Sequence, residues 1–231
     1  MDIEKPFLLI PDLQIPFEHE KALSFCSYLK KHYSIPDENV LNLGDEVDNL
    51  HGSLYPKDPD ALHTPKGELK QAKEAIQRWA EVFPQMHVCI SNHGNRWIKK
   101  AAACEIPEEL MRAYQDVLQI PVNWKYAYKW VIPTKNPFQI IHGMELSGKT
   151  PARQAADLFN VSTAFGHLHS SAGIAYVETL DKKVWGFNTG SLIDREAYAF
   201  KYARGHRYMA NLGAGIVFNE GTTPVWLPLN A

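Results

Sequence analysis

Five times along this chain a short apolar run ends abruptly in Asp, Asn or His within a turn-like context. Phe7-Leu8-Leu9-Ile10 leads into Pro11-Asp12, Val40-Leu41-Asn42-Leu43 into Gly44-Asp45, and Met86-His87-Val88-Cys89-Ile90 into Ser91-Asn92-His93. Phe138-Gln139-Ile140-Ile141 leads into His142-Gly143, and Ser162-Thr163-Ala164-Phe165 into Gly166-His167-Leu168-His169. Runs of this length suit strands buried on both faces, which have no solvent side on which polar residues could alternate. Helical periodicity between the early runs adds the β-α-β signature of an α/β fold. In an open α/β sheet, ligands gather at the carboxyl ends of the strands. The polar groups delivered there are therefore expected to converge on one site.

The clearest helix runs from Lys66 to Phe83, with Leu69, Ala72, Ile76, Ala80 and Phe83 on one stripe. Thr64 suits its N-cap, Pro65 its first position, and Pro84 its stop. Residues 95–120 read as a helical insert broken at Pro107, and the aromatic, basic stretch Trp124 to Ile132 reads as a loop beside the site, although the alternation of Trp124, Tyr126, Tyr128 and Trp130 also fits one packed strand face. After His169 the pattern changes to alternating strands, such as Gly173 to Thr179, Lys183 to Asn188 and Gly215 to Phe218, expected to form a second sheet packed on the first. With 231 residues and 45% hydrophobic content, the chain can bury one sizeable core, and a single domain over 1–231 is expected.

Charge and cysteine content remove several function classes. Lys plus Arg (24) nearly balances Asp plus Glu (26), which argues against attachment to nucleic acid by bulk electrostatics. No stretch approaches the roughly 18 apolar residues of a membrane span. The lead MDIEKPFLLIPD holds only a four-residue apolar run, so a cytoplasmic location is expected. Cys26, Cys89 and Cys104 are odd in number, widely spaced and without a CxxC, which fits buried, reduced thiols better than disulfides or a zinc ribbon.

Asp12, Asp45, Asn92, His142, His167 and His169, with Gln14 and Asp48 nearby, offer carboxylate oxygen, amide oxygen and imidazole nitrogen. That set suits hard to borderline divalent ions such as Mn²⁺, Fe or Zn²⁺, and a carboxylate such as Asp45 can bridge two of them. His19, His32, His51, His63 and His87 lack ligand spacing and are given no role. Lys201, Arg204, His206 and Arg207 cluster with Tyr198, Phe200, Tyr202 and Tyr208. This cluster reads either as a groove for a nucleotide or single strand or as a solvated turn beside core aromatics.

In order and spacing these segments resemble the calcineurin-like metallophosphoesterases, whose pattern is D-x-H, G-D-x-x-D, G-N-H-(D/E), a lone His and G-H-x-H. Here it stands as Asp12-Leu13-Gln14, Gly44-Asp45-Glu46-Val47-Asp48, Ser91-Asn92-His93-Gly94, His142-Gly143 and Gly166-His167-Leu168-His169, over about residues 7 to 190. The general cast also looks like small bacteriophage-type members, which would place the chain in a host cytoplasm. The resemblance implies a four-layer α-β-β-α sandwich with two packed mixed sheets, and two divalent ions. Mn²⁺ is preferred, with Fe, Zn, Ni or Mg as further possibilities. It implies Asp12, Asp45 and His169 as ligands of one ion, with Gln14 at the place of the usual His, and Asp45, Asn92, His142 and His167 as ligands of the other. It also implies a catalytic role for Asn92 and His93 beside the ions, and Asp48 as a supporting residue. Arg96, three residues past His93, is a candidate contact for substrate phosphate.

The expected activity is hydrolysis of a phosphate ester by hydroxide activated between two ions, with a phosphodiester in a nucleotide or nucleic acid preferred. A phosphomonoesterase acting on nucleotides or phosphoproteins is the nearest rival. A catalytically weak interaction scaffold and a nuclease subunit that needs a partner are the others. Gln14, Ser91 and Gly94 depart from the family pattern, and Gln14 leaves direct ligation and a supporting role both open.

Overall fold

The computed structural model describes residues 1–55, 64–197 and 209–229. Its strands fall into two mixed sheets. In the first, the order is β11(Thr223–Pro228), β10(Gly213–Phe218), β1(Phe7–Ile10), β2(Val40–Asn42), β3(Met86–Cys89) and β4(Trp124–Ala127). Strands β1 to β4 run parallel, while β10 and β11 add on antiparallel beside β1. The second sheet has the order β5(Lys129–Ile132), β6(Phe138–Ile141), β7(Ser162–Phe165), β9(Lys183–Asn188) and β8(Gly173–Glu178). There β6, β7 and β9 are parallel, with β5 and β8 antiparallel at the edges.

The five apolar runs are strands, and four of them are buried at every position. They divide between sheets, however: β1, β2 and β3 lie in one, β6 and β7 in the other. The inner faces meet in a single cluster, in which Phe7, Leu9, Leu41, Leu43 and Cys89 pack against Phe138, Ile140, Ala164, Trp185 and Phe187. The expectation of a second sheet beginning after His169 is corrected accordingly. β10 and β11 join the first sheet, and the second sheet begins before His142 with β5.

Helices cover the outer faces. α1(Ala22–His32) and α2(Pro65–Val82) bury Cys26, Leu29, Ile76 and Trp79 against Leu8, Ile10, Val40 and Val88. The end signals of α2 are those read from sequence: the Thr64 hydroxyl accepts from the Gly67 amide at 3.1 Å, and Pro65 opens the helix. A capping bond of this kind is worth about 1 kcal/mol. α5(Pro151–Phe159), which the sequence reading did not single out, packs on β8 and β9.

The helical insert holds α3(Arg96–Ala103), a short 3₁₀ turn at Glu108–Leu110 and α4(Tyr114–Leu118). The stretch after it is not a loop, and its alternation is that of strands, but of two and not one: Trp124 to Ile132 is β4 and β5, one strand in each sheet, separated at the exposed Tyr128. Cys26 and Cys89 are buried free thiols, as expected, whereas Cys104, just past α3, is exposed. No helix among the described residues is long and apolar enough to cross a membrane.

Candidate metal centre

The turns that leave β1, β2, β3, β6 and β7 meet where the two sheets face each other. The Asp12 turn and the Asp45 turn are joined backbone to backbone: Leu13 and Gln14 amides donate to the Asp45 carbonyl at 3.1 and 2.8 Å, Ile15 to Glu46 at 3.1 Å, and Asp48 to Ile15 at 2.9 Å. The β7 turn is tied to the first sheet by the His167 amide, 3.1 Å from both Asp12 carboxylate oxygens. Asp12 lies so close to Gly166 that a Cβ there would overlap its carboxylate, which is the physical reason for glycine at that place.

Within this frame Asp45, His142 and His167 bring ligand atoms within 4.8 Å of one another. The Asp45 carboxylate lies 3.4 Å from His142 Nε2 and 3.5 Å from His93 Nε2. His142 Nε2 is also 2.8 Å from Asn92 Oδ1, while its Nδ1 is fixed 2.9 Å from the Leu43 carbonyl. A second group forms beside the first, with His169 Nε2 2.9 Å from Asp12 Oδ2. Gln14 is buried, and its Oε1 has no hydrogen-bond partner among the described residues. Buried polar atoms are rarely left so. Gln14, Asp45 and His167 all have positive φ, at 50°, 50° and 65°, a costly conformation for such residues that clusters at functional sites.

Charge in the centre is tightly balanced. Burial works to raise the Asp45 carboxyl, but His142 and His93 outweigh it and hold Asp45 well below the ordinary carboxylate range. Burial works to lower His142, yet Asp45 and the more distant Asp12 bring it up to about 9. His167 moves the other way, lowered by burial and by the charge of His142. A neutral imidazole is the form that can ligate.

His93, Asp48 and Arg96 form a group at the edge. His93 Nδ1 lies 2.9 Å from Asp48 Oδ1, and Arg96 reaches the Asp48 carbonyl at 2.7 Å, Asp48 Oδ1 at 3.1 Å and His93 Nε2 at 2.8 Å. Burial lowers the His93 pKa, but Asp45 and Asp48 more than offset this and raise it. Arg96 opposes them at Nε2, where a guanidinium donor favours the unprotonated nitrogen. The guanidinium of Arg96 is thus turned inward onto Asp48 and His93, and Asp48 supports His93 directly.

Asp12, Asp45, Asp48, Asn92, His93, Arg96, His142, His167 and His169 lie in these groups, and Gln14 is joined to them through its backbone amide. The sequence reading missed three supports. Asn188, at the end of β9, donates to the Leu168 and Ser171 carbonyls at 2.8 and 2.9 Å, fixing the His167–His169 turn. Asn49 Nδ2 donates to the His93 carbonyl at 3.1 Å. Glu46 is fully buried, which pushes its carboxyl up despite bonds from Tyr114 and Tyr126. Neither Asn nor Glu in those motifs announces such a partner. A cavity of about 370 Å³ lies nearby between α2 and the insert, lined by Leu69, Trp97, Met111, Tyr114 and Leu118 with Asn49. The basic and aromatic cluster at 198–208, and His63, lie outside the described residues.

No protein-family model matches the sequence, and no curated protein matches it. Among solved structures, the crystal structure of TT1561 of Thermus thermophilus is similar over 97% of this chain and 98% of that one, at 7% sequence identity and a TM-score of 0.44.

Proposed function

We propose that this protein is a metal-dependent phosphoesterase of the calcineurin-like type, with the four-layer α-β-β-α arrangement of that family. The observation that carries the reading is that Asp12, Asp45, Asn92, His142, His167 and His169 come from two sheets into two adjoining groups, with Asp45 between two histidines. The donors fit divalent ions. They are oxygen and imidazole nitrogen without thiolate, and the buried Gln14 Oε1 lacks any partner of its own among the described residues. Asp12, Asp45 and His169 with Gln14 would hold one ion, and Asp45, Asn92, His142 and His167 the other. The oxygen-rich set favours Mn²⁺. Such ions, when bound, supply Lewis-acid charge and lower the pKa of a nucleophilic water.

The chain's own residues complete the chemistry. His93, oriented by Asp48 and Arg96, is placed to steady or protonate a leaving oxygen. Asn92, whose Oδ1 lies 2.8 Å from His142 Nε2, would help to hold one ion and to steady the developing charge. A phosphate ester is the substrate class, with a phosphodiester of a nucleotide or nucleic acid as the preferred form. The test is hydrolysis of a bis-aryl and a mono-aryl phosphate by metal-stripped protein resupplied with Mn²⁺, beside an Asn92→Ala, His93→Ala double variant. Mn²⁺-dependent turnover that the double variant lacks is expected, and the preferred ester identifies the substrate type. Folded protein that stays silent with Mn²⁺, Fe²⁺, Zn²⁺, Ni²⁺ and Mg²⁺ would overturn the reading in favour of an interaction scaffold.

A further inference from the structure

The carboxyl of Glu46, next to Asp45, takes no part in the chemistry above, yet it is fully buried, with its Oε2 lacking a partner among the described residues and its Oε1 held by two hydroxyls. Its Oε1 accepts from the Tyr114 hydroxyl at 2.8 Å and the Tyr126 hydroxyl at 3.0 Å. Tyr114 opens α4 in the insert, Tyr126 lies in β4, and their rings meet edge to face at 6.2 Å. On the backbone side, the Glu46 carbonyl takes the Ile15 amide, and the Asp45 carbonyl takes Leu13 and Gln14. A residue in the left-handed region keeps that conformation only where its surroundings over-determine it, and Asp45, at φ 50°, is fixed in this way on both sides.

Gly94 is part of the same arrangement. A Cβ at Gly94 would lie 3.1 Å from the Tyr114 hydroxyl and 3.3 Å from its ring, so Tyr114 occupies the space that a side chain at 94 would fill. The glycine that departs from the Asp or Glu of the family pattern is therefore matched to a tyrosine from the insert.

We propose that Glu46, clamped by Tyr114 and Tyr126, is a positioning residue that aims the Asp45 carboxylate and makes the insert part of the centre's construction. The inference rests on the reading of Asp45 as a metal ligand. Removing both hydroxyls leaves a buried carboxyl without donors, which relaxes by shifting the 45–46 peptide and so turns Asp45. Gln at 46 keeps an oxygen to accept both hydroxyls.

The experiment uses the full chain in four forms: parent, Tyr114→Phe/Tyr126→Phe, Glu46→Gln and Thr64→Ala. The last removes the α2 cap far from Asp45, as a control for plain loss of stability. Mn²⁺ affinity is measured by calorimetry, and the electron paramagnetic resonance spectrum of the Mn²⁺-loaded protein reports the coupling of two ions. The double Phe variant is expected to bind Mn²⁺ about 10–100-fold more weakly, as when an outer support of a ligand is removed, with an altered coupled spectrum. Glu46→Gln and Thr64→Ala are expected to stay within about 3-fold of the parent on the same scale. A double Phe variant with parental affinity and spectrum overturns the proposal, as does an equal loss in Thr64→Ala. A parent that binds none of Mn²⁺, Fe²⁺, Zn²⁺, Ni²⁺ and Mg²⁺ refutes the metal centre itself, visible before any variant is made, and takes this inference with it.

Discussion

Gly44→Ala tests whether the centre depends on how closely its turns approach. Gly44 has φ 98°, and a Cβ there would lie 2.7 Å from His142 Nδ1 and 3.0 Å from both the Cys89 carbonyl oxygen and Ser91 Cβ. Ordinary contact is about 3.5 Å, so His142 must retreat by about 0.8 Å, which breaks its 2.9 Å bond to the Leu43 carbonyl. The left-handed backbone costs a non-glycine residue roughly 1–2 kcal/mol, and overpacking about 1–3 kcal/mol more. Together that lowers the melting temperature by roughly 4–20 °C for a chain of this size. A displacement approaching 1 Å in a reacting constellation costs up to about 100-fold in rate, and Mn²⁺ affinity is expected to fall by at least about 10-fold. The assays are thermal unfolding of the metal-free protein, Mn²⁺ calorimetry and aryl phosphate turnover. A Gly44→Ala variant that melts with the parent and binds Mn²⁺ equally well would refute the reasoning.

Three further predictions follow from the same geometry. Gln14→His places an imidazole where a buried amide oxygen lacks a partner among the described residues, and should tighten the proposed position of Asp12, Asp45 and His169 on the order of 10-fold with a shift toward Zn²⁺ in competition against Mn²⁺; unchanged selectivity would show that Gln14 does not face the ion. Arg96→Lys removes the fork that joins Asp48 to His93 and should lower kcat about 10-fold with KM little changed, whereas a rise in KM alone would restore the substrate-phosphate role that the sequence suggested. In metal-free protein, burial works to lower His142, but Asp45 overrides it and raises the imidazole from 6.5 to about 9; stability from this pair is fully present below pH 6.5 and lost as pH rises through about 9. The loss amounts to a few kcal/mol, and denaturant melts that are flat from about pH 6 to 9.5 would contradict it.

The strands that carry the centre were legible because burial on both faces leaves a simple trace: Phe7 to Ile10 and Phe138 to Ile141 are apolar runs whose polar neighbours come at once. The same simplicity hides the partner of each strand. A run buried on both sides has no polar face to indicate its sheet, so nothing in Phe138 to Ile141 says that it pairs with β5 and β7 and not with β3. β4 and β5 were only half legible, for another reason. Exposed Lys125, Lys129 and Val131 alternate with half-buried aromatics at sheet edges, a pattern that fits a loop as well as a strand. β11 carries Pro224 and Pro228, tolerated because it is itself an edge.

The residues that meet in the candidate centre could be read from residue types at strand ends, but the structures that hold them could not. Glu46 meets Tyr114 and Tyr126 across 68 and 80 residues, and a carboxylate beside Asp45 looks like one more ligand or one more surface charge until its burial is known. Gly94 shows the same asymmetry. Against a family pattern it is a lost carboxylate, while beside Tyr114 it is the space a tyrosine needs to reach Glu46. Left-handed backbone at Gln14, Asp45 and His167 likewise leaves no mark on ordinary side chains. The strain at those three positions is compensated by bonds made elsewhere: the Asp12 turn onto the Asp45 carbonyl, Asp12 onto the His167 amide, and Asn188 under the His167–His169 turn. Substitution at those supports should therefore weaken the candidate centre without touching a proposed ligand, and this is the sense in which the site belongs to the whole fold as much as to its motifs.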